Sequence, residues 1–146
     1  MIFEKEEIKV KAICLFRNKN KILVSENYDI EKKDNYYRPL GGKVEFGEYT
    51  IETLKREIRE ELGCEIEDIK LETICENIFT CDGNKGHEIM YIYDARFIEK
   101  EIYKNIILEV TESDGSKIKA SWKDINDFKN GHMRLVPEPL NGFLGL

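Results

Sequence analysis

The sequence predicts an α+β or mixed α/β fold built on a mixed β-sheet. Three observations carry that expectation: β-rich runs dominate, one amphipathic helix stands near the middle, and turn-forming clusters punctuate the rest. With 146 residues, 41% of them apolar and 10% aromatic, the chain has the material for one compact domain, expected to span residues 1–146. No repeat, low-complexity tract or linker divides it.

In order, "IKVKAICLF" and "KILVSEN" are β-rich runs separated by "RNKN", a hairpin signal. "YDIEKKDNYY" reads as a polar loop. "RPLGGKVEFGE", with Pro39, Gly41, Gly42 and Gly47, reads as tight irregular backbone with a short extended piece at Lys43 to Phe46. Thr50 is the expected N-cap of a helix ending near Leu62, with Gly63 stopping it. "EIEDIKLETICENIFTC" and "HEIMYIYDARFIE" are two strands joined through "DGNKG". "KIKASW" is a further strand, "KDINDFKN" a short helix, and the end an irregular, Pro-containing tail.

Charge and cysteine usage narrow the function classes. A net charge of −6 argues against a nonspecific nucleic-acid binder, whose affinity depends on cations displacing counterions. Cys14, Cys64, Cys75 and Cys81 show neither CxxC nor metal-like spacing, so free thiols in a reducing compartment are expected. The N-terminal "MIFEKEEIKV" lacks an uninterrupted apolar core, and no run approaches the roughly 20 residues needed to span a bilayer. A cytoplasmic protein without membrane association is the expectation.

The stretch "KREIREELG" concentrates Glu57, Glu60 and Glu61 within little more than one helical turn. Ile51, Leu54, Ile58 and Leu62 form the core-facing stripe, and the three carboxylates fall on an adjoining face. Like charges at these spacings cost a few tenths of a kcal/mol per pair, roughly, partly offset by Arg56 and Arg59. Taken alone, the cluster reads as a solvated face of a chain that is 36% charged.

The upstream loop changes that reading. Gly42 is followed by five residues and Glu48, then by seven residues and Arg56-Glu57-Ile58, then by Glu60-Glu61 and Gly63. This resembles the Nudix box of MutT-like Nudix hydrolases at every fixed position. Cys64 holds the last apolar place, where cysteine serves as a small hydrophobe. Pro39-Leu40-Gly41-Gly42 departs from the P-G-G more usual in the family.

The resemblance implies a Nudix fold, an α/β/α sandwich with a mixed β-sheet, and metal-dependent hydrolysis of a diphosphate linkage. The substrate would be a nucleoside diphosphate joined to another group, X, released as nucleoside monophosphate and X-phosphate. It implies Mg²⁺ or Mn²⁺ held by Glu57, Glu60, Glu61 and the backbone carbonyl of Gly41, since hard cations favour oxygen ligands. It also implies an ion pair between Glu48 and Arg56 that fixes the glycine loop, Gly42 included, against the helix. The general base is open between Glu57 and the loop acids Glu112 and Asp114 in "TESDGSKIKASW". Arg38 either grips a phosphate or stacks on Tyr36 or Tyr37.

Substrate identity lies outside the box. ADP-ribose readers of the family often carry a proline beyond it, and "NIFT" at 77–80 has none. A small-molecule nucleotide partner is expected; nucleic acid is not, save a capped or triphosphorylated RNA end, and the oligomeric state is open, a homodimer included. His87 and His132 have no partner at ligand spacing, Trp122 reads as a core anchor, and Lys32 and Lys33 as a solvated charge run. Phe79, Tyr91 and Tyr93 are the aromatics available to a nucleobase, although sheet packing accounts for them. Two other classes compete: a noncatalytic Nudix-fold nucleotide sensor, which usually loses box carboxylates, and a plain interaction domain, which leaves the Gly42, Glu48 and Arg56 spacing without a reason.

Overall fold

A computed structural model of the chain describes residues 6–81 and 83–146. Two sheets form its middle. One has strand order β5-β1-β7-β6, made of β5 (Leu40–Lys43), β1 (Ile8–Cys14), β7 (Asn84–Phe97) and β6 (Ile66–Cys81). The other has order β2-β3-β9-β8, from β2 (Arg17–Asn18), β3 (Lys21–Asp29), β9 (Lys117–Asp124) and β8 (Ile107–Thr111), with β4 (Asp34–Arg38) paired to β3. β1 runs parallel to β7 and antiparallel to β5, so the first sheet is mixed.

The alternation of β1 explains the layers. Ala12 and Cys14 pack with Leu54 and Ile58 of α1 (Thr50–Leu62), whereas Ile13 joins Met90, Ile92, Phe128 and Leu140 on the reverse side. Phe128 and Leu140 belong to two short helices, α2 (Ile125–Lys129) and α3 (Pro139–Phe143). Both faces of the strand are therefore covered, giving the α/β/α sandwich the resemblance implied. Leu54 and Ile58 are wholly buried, each stabilising the fold by about 1.5–3 kcal/mol relative to exposure. Ile51 departs from the expected stripe and is exposed, its place beneath the helix taken by buried Thr53. Trp122 is the anchor expected of it, stacked on Tyr103 and donating from Nε1 to the Ile102 carbonyl at 3.1 Å.

Several local expectations are corrected. The "RNKN" turn joins β2 to β3, and β1 does not pair with β3. Leu15 and Phe16 are fully buried, so the chain passes through the core into the second sheet instead of reversing beside β1. The "polar loop" is a hairpin: β4 pairs with β3 from Ser25↔Arg38 to Asp29↔Asp34. Arg134 lies 3.5 Å from Asp29 and 3.0 Å from Asp34 and neutralises both acids, while Tyr37 is buried against Phe128. The extended piece in the glycine loop is Leu40–Lys43, earlier than expected, because Leu40 is buried and the segment pairs with β1.

Tyr49, not Thr50, caps α1; its N–H donates to Glu52, and Thr50 is the first helical residue, bonded to the Tyr93 hydroxyl. Gly63 ends the helix with φ of 67°, as expected of an αL glycine. The 66–97 hairpin is present, its first strand nearly as expected and its second starting earlier, at Asn84, and ending at Phe97, with Asp82 of the connecting segment outside the described residues. Strand β8 and a 3-10 turn at Lys100–Tyr103 carried no clear sequence signal.

Candidate active site

The glycine loop and α1 meet through one arginine. Arg56 donates from Nε to Glu48 Oε2 at 2.8 Å and from Nη2 to Glu48 Oε1 at 2.9 Å, a bidentate pair. Nη2 also reaches the Lys43 carbonyl at 3.2 Å, which ties the helix to the end of β5. Glu48 Oε1 accepts from the Glu45 N–H at 3.0 Å and the Thr53 hydroxyl at 2.9 Å. These partners, Arg56 first, hold the Glu48 carboxyl down at about 2. The loop is thus organised by charge-assisted hydrogen bonds around a single anion.

Glycine is required where the loop touches the helix. A Cβ on Gly42 would lie 2.1 Å from Glu57 Cδ, and one on Gly41 would lie 2.1 Å from the Ala12 carbonyl oxygen. The glycines let the backbone approach both the Glu57 carboxylate and the neighbouring strand.

Glu57, Glu60 and Glu61 have different surroundings. Glu57 sits 3.0 Å and Glu60 3.4 Å from Arg56 Nη1, so the arginine that clamps Glu48 also neutralises them. Glu61 faces inward, its Oε1 buried with no hydrogen-bond partner. Desolvation, then the charges of Glu57 and Glu112, push its carboxyl up to about 8, with Arg38 and the Gly41 backbone opposing only in part. Burial likewise raises Glu57, against the pull of Arg56.

These groups line a cavity of about 730 Å³ between the helix, the glycine loop and the β8–β9 turn. Arg38 and Glu112 face each other across it, Nη2 to Oε1 at 3.9 Å. Arg38 thus lines the cavity, and the guanidinium over the Tyr36 ring is that of Arg134. Asp114 does not line the cavity; its side chain accepts from the Ser116 N–H at 2.8 Å within the turn. His87, His132, Lys32, Lys33, Phe79, Tyr91 and Tyr93 are likewise outside the lining. Lys9 and Lys11 of β1 are lining residues that sequence reasoning missed. The "KVK" alternation places them on one face, but no local signal shows that this face borders the site.

Among the described residues, no three His, Cys, Asp or Glu side chains stand close enough together to hold a metal ion, because Glu57 and Glu60 are turned to Arg56. The donor set nevertheless suits a hard divalent cation. Its side chains are all carboxylates, one of them carries a buried oxygen without a partner, and burial, with the charges of Glu57 and Glu112, raises that carboxyl.

Fold and site together define a domain that clamps a glycine loop to an acidic helix beside a cavity lined by both signs of charge. The NUDIX domain model matches residues 7–138, and the chain belongs to that family. The family is one of hydrolases acting on diphosphate bonds, generally with divalent metal ions. Solved structures share the fold. A MutT NUDIX hydrolase from Burkholderia pseudomallei aligns with TM-score 0.62 at 23% identity, over 83% of this chain and 86% of that one. A MutT protein from Bacillus halodurans aligns with TM-score 0.60 at 20% identity, over 88% and 75%. A NUDIX hydrolase from Nitrosomonas europaea gives 0.58 at 19%, over 90% and 82%.

Proposed function

We propose that this chain hydrolyses the diphosphate linkage of a nucleoside diphosphate joined to a second group, releasing nucleoside monophosphate and X-phosphate. The observation that carries the reading is Glu61: a buried, unpartnered carboxylate oxygen aimed into a cavity beside Gly41, on a helix where Glu57 and Glu60 share one arginine. A carboxylate in that position is costly unless a cation meets it. Glu57, Glu60, Glu61 and the Gly41 carbonyl would hold Mg²⁺ or Mn²⁺. Such ions, when bound, neutralise phosphate oxygens and the charge developing on the leaving group.

The chain's own residues supply the rest. Arg38 lines the cavity and presents a planar fork to a phosphate oxygen pair. Glu112 faces the same space and can accept the proton of an attacking water, whereas Asp114 is spent on its own turn. Glu57 is the competing base, placed less well while Arg56 Nη1 stands 3.0 Å away. The Glu48–Arg56 clamp keeps the glycine loop against the helix throughout. Free Cys14, Cys64 and Cys75 agree with a reducing, cytoplasmic setting, and no described helix is long and apolar enough to cross a membrane.

The test is product release from a panel of nucleoside diphosphate derivatives with Mg²⁺, with and without chelator. Chelator-sensitive release of nucleoside monophosphate is the expected result. A chain that binds members of the panel but turns over none would be a nucleotide sensor and not a hydrolase.

A further inference from the structure

The cavity has a second wall whose chemistry differs from the acidic helix. Ala12 and Cys14 of β1 pack beneath α1, so Lys9 and Lys11, of opposite parity, stand on the reverse face of the strand. Lys43 of β5 is in register with Lys11 and shares that face. Directly opposed like charges in an antiparallel pair are destabilising, with Cβ atoms about 5 Å apart. Lys11 is compensated by Glu88, which is 5% exposed and lies 2.6 Å away, with Asn77 supporting the carboxylate at 3.4 Å. Lys43 has only an exposed contact with Glu7 at 3.4 Å, and Lys9 has no ion pair among the described residues. All three lysines line the cavity, and among the described residues no aromatic side chain does.

We infer that this β1–β5 face binds a phosphoryl group that the substrate carries beyond the scissile diphosphate, and that the enzyme's substrates are phosphorylated on the moiety lying over β1. The inference rests on the hydrolase reading above for the position of the scissile linkage. Two observations favour it. The lysines occupy the face of the sheet turned away from α1, so they form a different wall of the cavity from the acids that would engage the bond to be broken. Among the described residues the wall offers no stacking platform for a base, while ammonium groups on flexible stems suit a compact, multiply charged phosphate. Glu88, in register with Lys9 and 2.6 Å from Lys11, holds Lys11 in place, while Lys9 makes no ion pair among the described residues.

Matched substrates that differ by one phosphate test this: coenzyme A against dephospho-coenzyme A, and NADPH against NADH. In wild type the phosphorylated member of at least one pair should have a kcat/KM higher by at least about tenfold, the scale of a charge-assisted contact. That ratio should fall to near one in the Lys9→Met/Lys43→Met protein. It should also fall in Lys11→Met/Glu88→Gln, which removes the buried pair together and leaves no lone charge. Thermal melts confirm that each variant is folded. Equal kcat/KM within both pairs in wild type overturns the inference, as does a ratio that survives in the lysine variants. Should nothing be hydrolysed, the hydrolase reading fails by itself, and calorimetric binding of inorganic tripolyphosphate decides this one. A dissociation constant raised at least about tenfold by Lys9→Met/Lys43→Met supports the site, and an unchanged constant removes it.

Discussion

Glu48 and Glu61 are the same residue type in one motif, at opposite ends of one device. Glu48 accepts two hydrogen bonds from Arg56, one from Thr53 and one from a backbone N–H, and its carboxyl is held at about 2. Glu61 keeps a buried oxygen with no partner, and its carboxyl is pushed up to about 8. The first carboxylate is satisfied by the protein and organises it. The second keeps one oxygen unsatisfied by the protein, which is the condition under which a cation from outside has something to contribute.

The largest expected effect breaks the unsatisfied end. Glu61→Gln should lower kcat by about 10² to 10⁴ with little change in KM, since it removes a charge needed when the leaving group develops its own. The metal-free variant should melt higher than wild type near neutral pH, because glutamine is buried without having to take up a proton. Steady-state kinetics and a melt on one preparation check both signs. Retained kcat with only a raised KM would take Glu61 out of the catalytic centre.

The next effect breaks the satisfied end. Arg56→Ala leaves Glu48, Glu57 and Glu60 without their shared cation and frees the Lys43 carbonyl. Turnover should fall by about tenfold or more, and, in contrast to Glu61→Gln, the melting temperature should fall with it. Full activity and stability in this variant would show that the clamp organises nothing.

A pH series of metal-free melts sharpens the contrast. The Glu61 carboxyl is raised above its unfolded value, so its contribution is fully present at low pH and is lost as pH rises from about 4.5 to about 8. The Glu48 carboxyl is depressed, so its contribution is present above about 4.5 and is lost as pH falls toward 2. Glu61→Gln should flatten the neutral limb alone. Added Mg²⁺ should raise the melting temperature most at the alkaline end of that limb, stabilising by about 2.7 kcal/mol at a hundredfold excess over its dissociation constant. A wild-type midpoint indifferent to millimolar Mg²⁺ at pH 8 would argue against the metal site.

The smallest effect falls on the loop acids. Glu112→Gln should slow turnover, whereas Asp114→Asn should change it less than about twofold, as expected of a surface substitution, since Asp114 caps its own turn outside the cavity. Equal losses in the two variants would mean that the turn matters as a whole and that Glu112 is not singled out as a proton acceptor.

What the sequence determined by itself is what depends on spacing along the chain. Helix α1 ends at Leu62 with Gly63 in the left-handed region, because helix termination is local, and the Arg56–Glu48 pair is legible through the resemblance to the Nudix box, whose fixed spacing the chain carries. Only the tertiary structure decided which strands pair and which side chains share a cavity. "RNKN" looks like a hairpin in either sheet, and burial of Leu15 and Phe16 sends the chain across to the second one. "EKKDNYY" becomes part of a strand pair because Arg134, about a hundred residues away, neutralises Asp29 and Asp34. Glu57, Glu60 and Glu61 were equivalent as letters and became unequal only when Arg56 turned to two of them and the cavity enclosed the third. Desolvation and cross-strand neighbours set that difference, and neither is a property of any local stretch of sequence.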